Sequence, residues 1–441
     1  MSKTASKNWE TTTLEHLQKA DVIECMNGYS SGVHNQDGDG IPHIRPFNIS
    51  PLGHSSIEQL KYIPAERHKE SSSLQVRDVI FNNTNTEELV GKTAVWRHPG
   101  LFGFSNHMTR IRVKKFKEVN PEFLAFYLHY HWQTGMSRQL CRRHVSQASI
   151  MGDRFFKIAV PKPSELEQTR IAFILTKIQQ AIELETKLIR VTRELKAAVM
   201  KKLFTEGLNG EPPGETEIGL VPESWGVSNL GDVAKIFNGY AFKSSEIVPA
   251  SKTQLLRMGN LYMNQLDLTR NPSFFPDSYV AQYKDFVLRP YDIVMSLTGT
   301  MGKEDYGFAV EIPKNLEGNL LLNQRVAKLI VKEPREFSPR FFLHFLRTRM
   351  FLDKLYPTAK GTKQANLSSN IMLAIKVPTP CFEEQIKIAA ILDTIDAELT
   401  NREEKTKRLN ELFSTTLACL MSGAIRISYV DLDTKLQGVA A

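Results

Sequence analysis

The sequence predicts an α+β fold: two globular domains of mixed α/β content joined by two long helices that pair as an antiparallel coiled coil, in a pseudo-two-fold arrangement. Three observations predict it. The stretch VPKPSELEQTRIAFIL, from Val160 to Leu175, returns as VPTPCFEEQIKIAAIL, from Val377 to Leu392, with nine of sixteen positions identical where average residue usage gives roughly one. Each copy opens a segment of about 40 residues that contains no Pro or Gly and places apolar residues at helical spacing. Ahead of each lies a longer stretch of short apolar runs separated by Gly, Asn and Pro turn clusters, the pattern of a compact mixed domain.

A chain of 441 residues with 41% hydrophobic content fits two or three domains with cores of their own. MSKTASKNWE has no apolar signal-peptide region, and no uninterrupted apolar run reaches about 18 residues. A cytoplasmic protein with no membrane partner is expected. Cys25, Cys141, Cys381 and Cys419 lie far apart without C-x-x-C spacing, which argues against a zinc site and a disulfide framework. A net charge of +8 favours a polyanionic partner, but spread over a chain this long it decides little until the positions of the charges are known.

The duplication extends well beyond the opening match. MNGYSSG around Gly28 answers FNGYAFK around Gly239, and RDVIFNNT (77–84) answers YDIVMSLT (291–298). Gly91-Lys92 and Gly302-Lys303 follow as a further pair. NPEFLAFYL (120–128) answers SPRFFLHFL (338–346), and SQASI (146–150) answers KQANL (363–367). A period this long marks a duplicated domain pair, since solenoid repeats are several-fold shorter. The expected division is a first globular domain over 1–163, a helix over 164–206, a linker over 207–220, a second globular domain over 221–380, a second helix over 381–425 and a tail over 426–441.

Both helices are announced by Pro-x-Pro, which holds the entering chain extended. Ser164 and Glu167 stand at capping-box spacing in the first, and Cys381 stands at the cap position of the second. The first apolar stripe comprises Ile171, Ile174, Leu175, Ile178, Ile182, Leu188, Ile189, Leu195, Val199 and Leu203. The second comprises Ile388, Ile391, Leu392, Ile395, Leu399, Leu409, Leu412, Leu417 and Leu420. A helix of about 40 residues is roughly 60 Å long, and one apolar stripe on a charged helix needs a partner, so the two are expected to pack on each other as a rod with one head at each end. The breaker-rich segment GLNGEPPGETEIG (207–219) then frees the chain to start the second head.

The order of domain, P-x-P-x-x-x-E-Q-x-x-I-A-x-I-L helix, E-I-G-x-V-P-x-x-W linker, second domain and second helix resembles the DNA-specificity subunits of type I restriction-modification enzymes over nearly the whole chain. The residues that carry the resemblance are Pro161, Pro163, Glu167, Gln168, Ile171 and Leu175, the stretch Glu217 to Trp225, and Pro378, Pro380, Glu384, Gln385, Ile388 and Leu392. The resemblance implies that each globular part is a target-recognition domain reading one half of a split, asymmetric double-stranded DNA sequence. It also implies that the helices set the gap and dock two modification (methyltransferase) subunits, joined in the full complex by restriction (motor-nuclease) subunits. S-adenosylmethionine, ATP and Mg are then expected in those partners and no cofactor or metal in this chain. Glu167, Gln168, Ile171, Glu384, Gln385 and Ile388, in the repeated junction, become the candidates for partner docking.

A DNA-reading head needs cations for phosphates and a few side chains for base edges. SRQLCRRHVSQASIMGDR (137–154) supplies Arg138, Arg142, Arg143, His144, Gln147 and Arg154; its counterpart DKLYPTAKGTKQANLSSN (353–370) supplies Lys354, Lys360, Lys363, Gln364 and Asn366. At the offset of the opening repeat, Arg143 aligns with Lys360 and Gln147 with Gln364; Gln pairs with adenine through two hydrogen bonds, while Arg and Lys serve guanine or phosphate. Lys303 joins them from TGTMGKE (298–304), which fails the phosphate-loop pattern because Leu297 stands at the first Gly position and Glu304 follows the Lys, so a turn is expected. NPSF (271–274) echoes an amino-methyltransferase motif but has no Gly-rich cofactor loop beside it. His129 and His131, two apart on a helix, face different ways and read as ordinary core or surface histidines rather than a shared metal site. No catalysis by the chain itself is expected. A self-contained methyltransferase or nuclease leaves no segment for a catalytic domain, and a purely structural coiled-coil adaptor explains the helices but not the two heads.

Overall fold

The computed structural model describes residues 9–427; residues 1–8 of the first expected domain, and 428–441 of the tail expected over 426–441, lie outside the described residues. The chain forms two compact units, one from the residues up to Leu188 with those from Arg402 onward, the other Ile189–Asn401. Each unit takes one head together with half of each long helix.

In the first unit VIFN pairs through Val79–Asn82 at the heart of an antiparallel four-stranded sheet, ordered Ile23–Asn27, Met108–Val113, Val79–Asn82, Thr93–Val95. The run is apolar without alternation because both faces are covered. Val79 and Phe81 enter one core with Leu124 and Leu128 of the helix Pro121–Gln133. Ile80 enters another with Trp96 and Phe104, under a smaller sheet of Tyr62–Ile63, Ile41–Ile44 and Gly103–Phe104. The second unit repeats the plan. Its four-stranded sheet runs Ala234–Asn238, Val326–Val331, Ile293–Ser296, Ala309–Glu311, with Ile293 and Met295 facing the core beneath the helix Pro339–Leu346, and Val294 facing the other core.

The recurrence of Asn-Gly-Tyr has a steric cause. The Gly28 amide donates to Met108 O at 3.0 Å and that of Tyr29 to Phe104 O at 3.1 Å; Gly239 and Tyr240 do the same with Val326 O and Leu322 O, at 3.1 and 3.0 Å. A Cβ on Gly28 would stand 2.2 Å from Phe104 O, and one on Gly239 2.1 Å from Asn323 O, so only glycine lets these backbones approach. The two Gly-Lys pairs, by contrast, are not equivalent. The Gly91 amide donates to Asn82 O as the Gly307 amide donates to Ser296 O, which makes Gly307 the counterpart of Gly91. Lys92 is buried, donating to Ile49 O at 2.5 Å, whereas Lys303 is exposed.

The long helices span Glu165–Glu206 and Phe382–Met421. Within each unit their halves run antiparallel: Glu167 meets Arg426 and Glu185 meets Arg402 in the first, and Lys196 meets Asp396 and Glu384 meets the Leu208 amide in the second. Ile171, Leu175 and Ile182 pack with Phe413, Leu417 and Leu420 in the first unit, and Leu203 with Ile388 and Leu392 in the second. Three members of the expected stripes face outward instead: Leu195 is 53% exposed, Leu412 50% and Ile391 40%. At the first helix start Ser164 Oγ accepts from the Glu167 amide at 3.3 Å, but the Glu167 carboxylate turns to Trp9 and Arg426, so only half of the expected capping box forms. Phe382 begins the second helix, and there Cys381 offers its carbonyl rather than its side chain, to the Gln385 amide at 3.1 Å.

The linker is more ordered than its breakers suggest. Pro213–Thr216 and Gly219–Pro222 form an antiparallel hairpin, and Ile218, Val221 and Trp225 enter the core of the second unit. In the first unit the corresponding place is filled by Trp9, Arg426 and Ile427: Ile427 packs in the core with Ile171, and the Arg426 guanidinium lies 5.0 Å from the Trp9 ring centre. No helix among the described residues is long and apolar enough to cross a membrane.

Candidate nucleic-acid interface

The basic segment before the first helix folds as a hairpin. Arg142–Arg143 pairs with Ala148–Ser149, which pairs on its other side with Thr84–Asn85, and the turn closes through the His144 amide on Gln147 O at 2.7 Å. Arg138, Arg142, Arg143, Gln147 and Arg154 are all exposed. Glu87, on the loop after Thr84–Asn85, receives Arg138 Nε at 2.5 Å and Arg143 Nη2 at 2.7 Å. The Arg138 hydrogen bond, followed by the Arg138 and Arg143 charges, holds the Glu87 carboxyl below its ordinary range against a partial desolvation. Arg154 spends Nη1 on Leu140 O and Cys141 O, which makes it a clasp for the hairpin's entry. Arg142 and Gln147 make no side-chain hydrogen bond to the chain among the described residues, and they are the two free to meet a ligand.

The second head builds the same edge from different residues. Gln364–Asn366 pairs with Thr298–Thr300, and Lys360 bridges to Asn366. The Met301 amide donates to Lys363 O at 3.1 Å, which seats the turn carrying Lys303 beside the hairpin. TGTMGKE is thus a strand and a turn, pinned by Asp305 accepting from Thr300 N and Oγ1 at 2.6 and 2.7 Å. Lys303, Lys360, Lys363, Gln364 and Asn366 are exposed. Asn366, however, turns its amide onto Gln364 O at 3.1 Å and works inside the hairpin. The expected alignment also shifts by one. Arg142 stands opposite Ser149 as Lys360 stands opposite Asn366, so Arg142 rather than Arg143 is the counterpart of Lys360, the first hairpin being one residue longer. Gln147 and Gln364 keep equivalent places, each just before the alanine that pairs with the neighbouring strand.

Beside each edge lies a groove that periodicity and composition do not reveal. The first, of about 1010 Å³, is lined by Arg45, Gln59, Lys61, Asn106, His107 and Gln147 among others. The second, of about 450 Å³, includes Arg257, Arg270, Asn271, Ser273, Gln324 and Arg325. The only sequence signal for them is a spaced pair, RPFN at Arg45 and RMGN at Arg257, hidden because its middle residues differ. NPSF contributes Asn271 and Ser273 to this second groove. His129 and His131 are buried helix residues whose pKa burial pushes down to about 4, and His131 Nδ1 lies 2.9 Å from Ser137 Oγ.

The family model for the type I restriction modification DNA specificity domain matches twice, over residues 20–193 and 222–411. The chain belongs to this family. It is 30% identical to the MjaVIII type I restriction enzyme specificity subunit of Methanocaldococcus jannaschii over 276 residues, 62% of this chain and 63% of that one. It is 26% identical to the MjaX specificity subunit of the same organism over 434 residues, 96% of this chain and 94% of that one. The EcoBI specificity subunit of Escherichia coli is 25% identical over 53% of this chain and 44% of its own length. In fold, the crystal structure of the type I restriction-modification system S subunit from M. genitalium superposes with a TM-score of 0.59 at 14% identity, covering 95% of this chain and 98% of that one.

The repeated Glu-Gln junction, expected to dock a partner, makes its contacts among the described residues within each unit. Gln168 Oε1 accepts from the Asn120 amide at 2.8 Å while its Nε2 donates to Glu118 O and Pro163 O. Gln385 repeats this with Ser338 N at 2.7 Å, Glu336 O and Pro380 O. Glu167 takes Trp9 Nε1 at 3.2 Å and Arg426; Glu384 takes Trp225 Nε1 at 3.0 Å and the Leu208 amide. Burial alone would raise the Glu167 carboxyl, but the Arg426 and Trp9 hydrogen bonds outweigh it and the net direction is down. Ile171 and Ile388 are both 0% exposed. These six side chains take part in joining each head to its helices.

Proposed function

We propose that this member of the specificity family reads a bipartite, asymmetric double-stranded DNA target, one half-site per head, with the long helices setting the gap between them. Family membership makes the chain the DNA-recognition component of a type I restriction-modification system and not its catalyst. The observation that carries the two-half reading is the repetition of one exposed hairpin edge with unlike side chains: Arg142, Arg143 and Gln147 in one head, Lys303, Lys360, Lys363 and Gln364 in the other. Identical placement supports the same task, and different chemistry supports different bases. Two modification subunits dock on the duplicated frame, one per copy, and restriction subunits complete the assembly in the cytoplasm; S-adenosylmethionine, ATP and Mg act in those subunits. The relatives' names speak of specificity subunits of restriction enzymes, which supports this assembly.

Methylation mapping in a host carrying the chain with its cognate modification subunit tests the proposal. The expected motif has two unlike half-sites around a fixed gap. Replacing Arg142 and Gln147 by Ala relaxes one half-site and leaves the other intact. An unsplit motif would sink the two-headed reading, and no motif with an active partner would leave only a structural adaptor.

A further inference from the structure

The hairpins leave the grooves beside them unexplained, and the grooves share one feature that the duplication has kept in shape while changing its neighbours. In the first head the strand Ile41–Ile44, parallel to Gly103–Phe104, ends at Arg45. The Arg45 amide donates to Asn48 Oδ1 at 2.9 Å, and Asn48 Nδ2 donates to Ser56 O and Gln59 O at 3.0 and 2.8 Å. In the second head the strand Thr253–Leu256, parallel to Asn319–Leu322, ends at Arg257. Arg257 N donates to Asn260 Oδ1 at 2.9 Å, and Asn260 Nδ2 to Asp267 O and Arg270 O at 2.8 and 2.9 Å. The same asparagine lock therefore fixes the same arginine, next to the equivalent turns Ser105-Asn106-His107 and Asn323-Gln324-Arg325, which close through Met108 N on Ser105 O and Val326 N on Asn323 O at 2.9 Å each.

Among the described residues neither guanidinium takes part in a salt bridge. Arg45 is half-buried, and its Nε is covered with no hydrogen-bond partner among the described residues, a donor left unsatisfied by the fold. Arg257 has one light tether, Nη1 to Ser273 Oγ at 3.1 Å. The second groove sets Arg257, Arg270 and Arg325 in its lining without a carboxylate, and the first sets Arg45 and Lys61 against Glu58. Amide side chains line the same grooves as the two arginines, Asn106 and Gln147 in the first and Gln324 in the second. Arginine with amides is the donor set that reads base edges, and an arginine whose backbone is fixed at a turn starts its guanidinium, with the parallel donors that match guanine O6 and N7, from a set place in the groove. Phosphate contacts fall more naturally to the exposed lysines and arginines of the hairpin edge.

We propose that Arg45 and Arg257 are specificity-determining residues, each reading a guanine in the half-site of its own head. This rests on the bipartite reading above. The test uses the whole chain with its modification subunit in the host, comparing wild type with Arg45→Lys, Arg45→Gln and Arg257→Lys by methylation mapping. The expected result is a loss of preference of about tenfold or more at one guanine of one half-site for the Arg45 variants and at one guanine of the other for Arg257→Lys. The untouched half-site in each variant reports that the chain is folded and assembled. An unsplit wild-type motif defeats the bipartite reading. A split wild-type motif that all three variants leave unchanged defeats this inference alone, as does uniformly weaker methylation with the motif intact, which marks a phosphate contact. If a variant loses methylation altogether, binding by its purified complex to duplexes substituted at each base decides: a penalty confined to one guanine supports the assignment, and equal loss on every duplex or a lowered melting temperature overturns it.

Discussion

Gln168 and Gln385 each close three hydrogen bonds that no apolar residue can replace: one accepted from the amide of a helix N-cap residue and two donated to turn and loop carbonyls. Both are buried, so truncation strands an amide and two carbonyls away from water. Gln168→Ala and Gln385→Ala are each expected to lower stability by about 1–3 kcal/mol, with similar costs because the bonds are the same. Chemical denaturation of the purified chain measures this, and wild-type midpoints would show that the cap amides find other partners. The Glu-Gln pair was conspicuous in the sequence because it occurs twice, yet repetition cannot separate a residue that faces inward from one that faces a partner. The inward contacts are made with Trp9, Trp225 and the two cap amides, distant in sequence and brought to the pair only by folding.

Along the paired helices the apolar seam is broken by a charged layer. In the first unit Glu185, with its side chain 6% exposed, receives Lys405 at 2.6 Å and Arg402 at 3.1 Å, and the Lys405 hydrogen bond leads in holding its pKa down. This layer explains why the second apolar stripe lapses over NREEKTKR (401–408), a gap the periodicity alone leaves without a reason. Replacing Arg402 and Lys405 together by Ala leaves a covered carboxylate unpaired and is expected to destabilise by about 1–3 kcal/mol, against the 0–1 kcal/mol typical of an exposed pair. Arg190→Ala, which breaks the exposed pair with Glu194, is the control expected to change almost nothing. Urea titration of both variants checks the contrast. The outward turn of Leu195, Ile391 and Leu412 belongs to this scale too, since helical spacing identifies an apolar face but not which of its residues lie at the edge of the seam.

Across the whole chain the two copies have diverged in their titratable groups. Of eleven histidines only His344 belongs to the second copy. In the first head burial lowers His43, His129 and His131 to about 4. For such groups the folded state disfavours the proton, so as pH falls below the ordinary value near 6.5 the unfolded chain takes up protons that the folded chain refuses, and stability is lost between about 6.5 and 4. In the second unit burial also lowers His344, while Asp393 is held at about 2, its desolvation outweighed by His344 and Arg340; its contribution is complete above the ordinary carboxyl range and is lost as pH falls from about 4 to about 2. The first unit is therefore expected to lose amide protection before the second between pH 7 and pH 5. Hydrogen exchange read by mass spectrometry follows the two separately, and equal loss in both would contradict the histidine account.

The sequence by itself determined the duplication, the two long helices and the family, because these are written in local terms: period, breakers and a repeated junction motif. It also marked the basic hairpin edges, since a cluster of cations beside a helix start is contiguous along the chain. The tertiary structure decided what depends on distant partners. It turned the linker into a hairpin whose Ile218, Val221 and Trp225 have a core to enter, moved the hairpin alignment by one residue, and spent Asn366 and Arg154 inside the fold. It also gathered Arg45, Asn106 and Gln147 around one groove from three separate stretches of chain. Spacing along a sequence records which residues share an element, but only packing records which side chains are already satisfied and which are left to meet DNA.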